Sequence, residues 1–192
     1  MINVPMLPTG PDMDQVEALV ASDPSIKGMW LVPVYSNPDG ITTSPETCRR
    51  LAAMKTAAPD FRLFWDNAYF VHHLYPENKE SVPDIIDLCA ENGHPDRVFE
   101  FASASKITFA GAGVACLASS QNNLAWVRRH MAIQSIGPDK VNQLRHVRFL
   151  KNKAGVEAIM AKHALILRPK FETALKILDQ QLNGTGTCCF NH

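Results

Sequence analysis

An alternation constrains this chain more than any other feature: short runs rich in β-branched and aromatic residues are separated by longer stretches whose apolar residues recur at helical spacing. Strands and helices in such order cannot each bury an apolar face alone. Their stable solution is a sheet with helices packed on it, an α/β layered domain. Met13 to Ala21 sets Val16, Leu19 and Val20 on one helical face, and Lys27 to Val34 then reads as a buried strand. Ser44, with Pro45 behind it, opens a helix that should run to about Ala57, ahead of Pro59. Next come a strand at Phe61 to Trp65, a helix over Asp84 to Glu91 closed by Gly93, and strands at Arg97 to Ala102 and Val114 to Ala118. Further on, Asn122 to Ile133, Asp139 to Phe149 and Ala154 to Leu182 read as helices, the last long enough to connect two domains. Pro169 is expected to kink or divide it, because its ring removes a backbone donor and crowds the carbonyl four residues earlier.

Composition narrows the function classes. With 192 residues, 46% of them hydrophobic and 20% charged, a sizeable core is expected. Nineteen basic residues against nineteen acidic ones leave no net charge, which speaks against nucleic acid or anionic lipid as a partner. No run reaches the roughly 18–20 apolar residues of a membrane span, and the opening residues lack the basic and apolar regions of a signal peptide. A cytoplasmic location without membrane contact is the expectation. The five cysteines show no paired spacing, and their odd number argues against a disulfide framework. Cys48, Cys89 and Cys116 are expected inside as small apolar residues, and Trp30, Trp65 and Trp126 as core. His130, His146 and His163 lack metal-ligand spacing, so no metal is expected. Arg128, Arg129, Arg145 and Arg148 read as a solvated or subunit-facing surface.

Three polar clusters each follow a predicted strand, the edge at which open α/β sheets bind ligands. Ser103, Ala104, Ser105 and Lys106 lead into the glycine-rich Gly111, Ala112, Gly113 and Val114. Hydroxyls and backbone amides suit a phosphate and a lysine beside them suits an aldehyde, although an exposed lysine after a serine-rich turn has the same sequence. Asp66, with Asn67, Ala68 and Tyr69, closes so apolar a strand that its carboxylate should be partly desolvated and in need of a cationic partner; the alternative is a helix cap. Tyr35 to Gly40, YSNPDG, is a turn by its dipeptides, yet it also presents Asn37 as a donor on a loop held by Pro38. His72 and His73 read as helix-surface or packing residues.

Together, these three motifs in this order resemble class I aminotransferases of fold type I, which depend on pyridoxal 5′-phosphate. The stretch GPDKVNQLRHVRFLK from Gly137 to Lys151 resembles their bacterial aspartate aminotransferase-like branch. The resemblance runs from about Met1 to about Gly184. It implies a three-layer α/β sandwich with a mostly parallel mixed sheet, followed by a long interdomain helix: residues 1–150 as part of the cofactor-binding large domain, and 151–192 as the linking helix and truncated start of the small domain. By the same resemblance Lys106 is the Schiff-base lysine and Asp66 the partner of the pyridine nitrogen. Tyr69 and Asn37 contact the phenolic oxygen of pyridoxal phosphate, Ser103 and Ser105 bind its phosphate, and the Asn37–Pro38 bond is cis. Many relatives carry a phosphate-gripping arginine about eight residues after the lysine; here the glycine-rich segment stands in its place.

The implied reaction is amino-group transfer between an amino acid, aspartate or glutamate, and a 2-oxo acid, by a homodimer when full length. Members of the family also need an earlier segment and a later small domain that these residues do not show. The chain is therefore expected to be a fragment with an unnatural start at Met1, negligible activity alone and an exposed apolar face. The alternatives are an inactive fragment or the aminotransferase-like sensor domain of a transcriptional regulator.

Overall fold

The computed structural model describes residues 1–111 and 113–185. Ala112 and the end of the expected small-domain start, Cys188 and Cys189 included, lie outside the described residues. A short antiparallel hairpin, β1 (Met6–Leu7) and β2 (Gly10–Pro11), precedes α1 (Met13–Ser22), β3 (Gly28–Leu31), α2 (Pro45–Ala53), β4 (Arg62–Asp66), α3 (Ile85–Glu91) and β5 (Val98–Ser103). Then follow β6 (Ala115–Ser119), α4 (Gln121–Gln134), α5 (Lys140–Leu150) and α6 (Lys153–Leu182). The main sheet has the order β3-β4-β5-β6, with the first three strands parallel and β6 antiparallel to β5. This is the mixed, mostly parallel α/β sheet that the family resemblance implied.

Local chemistry accounts for the helix starts. Ser44 Oγ accepts the Thr47 amide at 3.1 Å ahead of Pro45, and Asp84 accepts the Ile86 and Asp87 amides at 2.9 and 3.1 Å. α2 ends at Ala53 rather than near Ala57, because Met54 turns extended (φ −56, ψ 142) and the Ala57 amide donates to Val20 instead. β3 stops at Leu31, short of Val34; Pro33 has no amide to donate, and its carbonyl accepts from Thr43. Pro169 does not divide α6, which runs unbroken for 30 residues.

The core lies on one face of the sheet. Leu31, Leu63, Trp65 and Val98 meet Met13, Val16 and Val20 of α1, Cys48, Leu51 and Ala52 of α2, and Ile85 and Cys89 of α3. Burial pushes the Cys48 and Cys89 thiols up to about 11. At its edge the buried Arg97 guanidinium donates to the Leu51 and Ala52 carbonyls, two of the last acceptors of α2.

The opposite face carries an open aromatic row. Trp30, Phe64, Phe99 and Phe101 stack across the strands at centroid distances of 5.6–6.4 Å. Trp30 is 61% exposed, and Trp126 and Cys116 are exposed as well, against the expectation that all three lie inside. The reason is shared: no residue of β6 or α4 joins the core, and no described helix covers Trp30. The exposed apolar face expected of this chain is thus present, extended by Ile133, Val141, Leu165 and Phe171 on α4 to α6. Arg128, Arg129, Arg145 and Arg148 are exposed. Among the described residues no helix is long and apolar enough to cross a membrane.

The reversal between α5 and α6 leaves no room for a side chain at Gly155, where an added Cβ would lie 1.9 Å from the Leu150 carbonyl oxygen. Gly155→Ala must push backbone against backbone, and is expected to cost roughly 1–3 kcal/mol by thermal or urea denaturation. An unchanged midpoint would show that the reversal opens freely.

Candidate active site

β4 and β5 end side by side, and their register, Asp66 opposite Phe101, determines what faces what. Side chains alternate along a strand, so Asp66 shares a face with Phe64, and Ser103 with Phe99 and Phe101. Asp66 and Ser103 therefore stand at the carboxyl edge of the open aromatic face. Asp66 is half-buried, begins no helix, and has no hydrogen-bond or ion-pair partner for its carboxylate among the described residues. The helix-cap alternative does not hold.

Beyond each strand end the chain turns back on itself. After β5, the Ile107 and Thr108 amides both donate to the Ala104 carbonyl, a tight turn that presents Lys106 outward. The Lys106 ammonium donates to the Tyr69 hydroxyl at 2.7 Å and lies 3.9 Å from the centroid of that ring. Ser103 Oγ accepts the Ser105 amide at 3.4 Å, and neither serine hydroxyl finds an acceptor among the described residues. Asn37 stands apart. It is exposed at the tip of a loop closed by Ser36–Ile41 and Gly40–Ser36 backbone bonds, its bond to Pro38 is cis, and it lines a hollow of about 700 Å³ together with Met1 to Val4 and β3. No hydrogen bond joins Asn37 to Lys106, Tyr69 or Asp66 among the described residues.

Five residues, His72, Tyr35, Asn67, Glu100 and His146, have places at the site that the sequence did not reveal. His72 packs edge-on against Tyr69, 5.5 Å between centroids, and its Nε2 lies 3.0 Å from the Lys106 carbonyl. Tyr35, at φ 50, bonds His73 Nδ1 at 2.8 Å and accepts the Glu80 amide at 3.3 Å, tying the Asn37 loop to the segment after β4. Asn67 donates to the Glu100 carboxylate, and its backbone amide donates to Phe101 at 2.8 Å, so the residue after Asp66 is anchored twice to β5. The adjacency of Asn67 to Asp66 hinted at this; nothing in the sequence signalled Glu100. From α5, the buried His146 bonds Thr108 Oγ1 at 3.2 Å and holds the lysine turn from behind.

Burial, with the nearby Asp84 carboxylate, raises the Glu100 carboxyl above its ordinary range. A raised acid favours the fold when protonated, and that contribution is lost as pH rises through its folded-state value. Glu100→Gln removes the charge, keeps an acceptor for the Asn67 amide, and offers a donor to Asn67 Oδ1, which is buried without a partner. The variant is expected to melt higher than the unaltered protein at pH 8, with the gap closing toward pH 4.5. An equal or lower melting temperature at pH 8 would contradict this.

A profile of the aspartate amino-transferase family matches residues 1–192. The chain is 53% identical over 186 residues to the aspartate aminotransferase of Corynebacterium glutamicum, covering 97% of this chain and 43% of that protein. The crystal structure of an aspartate transaminase from the same organism superposes with a TM-score of 0.93 at 52% identity, over 97% of this chain and 43% of that one. The α-aminoadipate aminotransferase of Thermus thermophilus, 23% identical, shares the fold with a TM-score of 0.76 over 93% of this chain and 44% of that one. The chain thus spans less than half the length of these relatives. With a family profile matched from end to end, and a sheet whose two adjacent strand ends deliver the acid and the lysine turn, the chain belongs to the aspartate aminotransferase family.

Proposed function

We propose that this chain is part of an aminotransferase that uses pyridoxal 5′-phosphate and moves an amino group between an acidic amino acid and a 2-oxo acid. One observation carries the reading: the Lys106 amine meets the Tyr69 hydroxyl at 2.7 Å, beside the strand ends that bear Asp66 and Ser103. The donor set fits the cofactor. Asp66 offers a carboxylate without a partner to the ring nitrogen, and the free hydroxyls of Ser103 and Ser105 suit the phosphate. Tyr69 and Asn37 suit the phenolic oxygen. Gly111 and Gly113, at φ 78 and 74, have amides that can take the place of an arginine on the phosphate.

When bound, pyridoxal phosphate supplies an aldehyde for amines and a ring that withdraws electrons from the substrate α-carbon. This chain's residues do the rest. Asp66 holds the proton on the ring nitrogen, Tyr69 orients Lys106, and the Lys106 Nζ, once free, carries the α-proton of the substrate. The name of the Corynebacterium relative supports aspartate as substrate. α6, with its apolar exposed side chains, is read as the link to a second domain, and the open aromatic face as a surface that the rest of the polypeptide and a second subunit cover. Borohydride treatment of the full-length protein with pyridoxal phosphate is expected to add the mass of the reduced cofactor to the peptide bearing Lys106. Labelling elsewhere, or none, would refute the assignment.

A further inference from the structure

The Lys106 side chain is exposed and reaches one polar partner, yet its backbone is held from the side by a residue the proposed mechanism does not use. His72 lies 3.0 Å from the Lys106 carbonyl through Nε2, packs edge-on against the Tyr69 ring at 5.5 Å, and donates its own amide to the Tyr69 carbonyl at 2.9 Å. One imidazole thereby touches both members of the Lys106–Tyr69 pair, which a 2.7 Å bond joins. A carbonyl oxygen only accepts, so Nε2 carries the proton; Nδ1 is buried and has no hydrogen-bond partner.

We propose that His72 is the positioning residue of this site, setting the Lys106 amine against the Tyr69 hydroxyl by holding the lysine backbone and the tyrosine ring at once, as a neutral imidazole protonated on Nε2. The inference rests on the reading of Lys106 as the cofactor lysine. On balance the groups that face His72 favour its neutral form. Burial pulls the His72 imidazole below its ordinary value and outweighs the upward pull of the Lys106 and Tyr69 backbone, and the charges of Lys106 and of His163 on α6 add to the lowering. A second proton would place charge on Nδ1, which is buried and has no hydrogen-bond partner among the described residues. The effect on chemistry follows from placement: a catalytic amine displaced by a fraction of an ångström loses rate without losing substrate affinity.

Glutamine and phenylalanine separate the two things His72 does. The amide nitrogen of glutamine can take the place of Nε2–H without a titrating group; phenylalanine keeps the ring against Tyr69 and removes the donor. In the full-length protein, His72→Phe is expected to lower both the rate of borohydride-trapped pyridoxal phosphate uptake at Lys106 and kcat by about fivefold to tenfold, with KM unchanged, as the loss of one neutral hydrogen bond allows. His72→Gln should recover most of both rates. The ¹⁵N spectrum of histidine-labelled protein at pH 7 should show His72 protonated on Nε2 and bare at Nδ1. Unaltered rates in His72→Phe, a glutamine variant no better than phenylalanine, or an Nδ1-protonated ring would each overturn the inference. If the unaltered protein takes up no cofactor at Lys106, the proposed function fails, while the nitrogen spectrum still decides whether His72 holds the Lys106 carbonyl.

Discussion

Lys106→Ala, made in the full-length protein, is expected to end covalent uptake of pyridoxal phosphate and to lower amino transfer by on the order of 10⁴-fold. In the proposed function two roles fall on the one Nζ atom: attaching the cofactor and carrying the substrate proton. The exposed position of Lys106, with Tyr69 as its partner, leaves it free to swing between them. Lys106→Arg should fare no better, because a guanidinium keeps the charge but is never deprotonated in proteins and cannot act as a base. Added methylamine should restore part of the alanine variant's turnover, since it returns a primary amine to the gap. Mass spectrometry after borohydride and steady-state rates with aspartate measure both effects. An alanine variant that keeps more than about a tenth of the original rate would mean that the catalytic amine lies elsewhere.

The second large effect is on stability. Trp65 is 1% exposed and is the largest fully buried side chain, meeting α1 to α3 residues from the middle of β4. Trp65→Ala leaves a cavity no neighbour can fill and is expected to cost about 3–5 kcal/mol, a large share of the 5–15 kcal/mol that ordinarily separates folded from unfolded domains. The consequence reaches the site, because Asp66 is the next residue and its position on the open face depends on Trp65 being pinned to the other. Urea denaturation followed by circular dichroism should show the midpoint fall sharply, with Trp65→Phe recovering part of the loss. A midpoint unchanged by alanine would remove Trp65 from the core.

Much of the candidate site was legible because its residues are local in sequence. Ser103, Ser105 and Lys106 occupy one turn, and Asp66 and Tyr69 another, each behind a strand whose composition announces it. What tied them together was not legible. The pairs Asn67–Glu100, His72–Lys106, Thr108–His146 and Tyr35–His73 lie 33 to 38 positions apart and form through strand register and helix placement. A histidine just beyond a motif looks the same whether it packs on a surface or grips a lysine carbonyl.

Helix starts and the polar ends of the strands were determined by the sequence alone, because caps, turn dipeptides and side-chain periodicity act over a few residues. Which face of the sheet is buried was not. Met29, Leu31, Leu63, Trp65 and Val98 are apolar on one face, and Trp30, Phe64, Phe99 and Phe101 are just as apolar on the other. A period of two separates inside from outside only when one side is polar. Trp30 and Trp65, in neighbouring strands of the same parallel sheet, are therefore equivalent by sequence and opposite in fact: 61% and 1% exposed. The difference arises because α1, α2 and α3 all pack on the Trp65 side, a choice made by the paths of the crossovers in three dimensions.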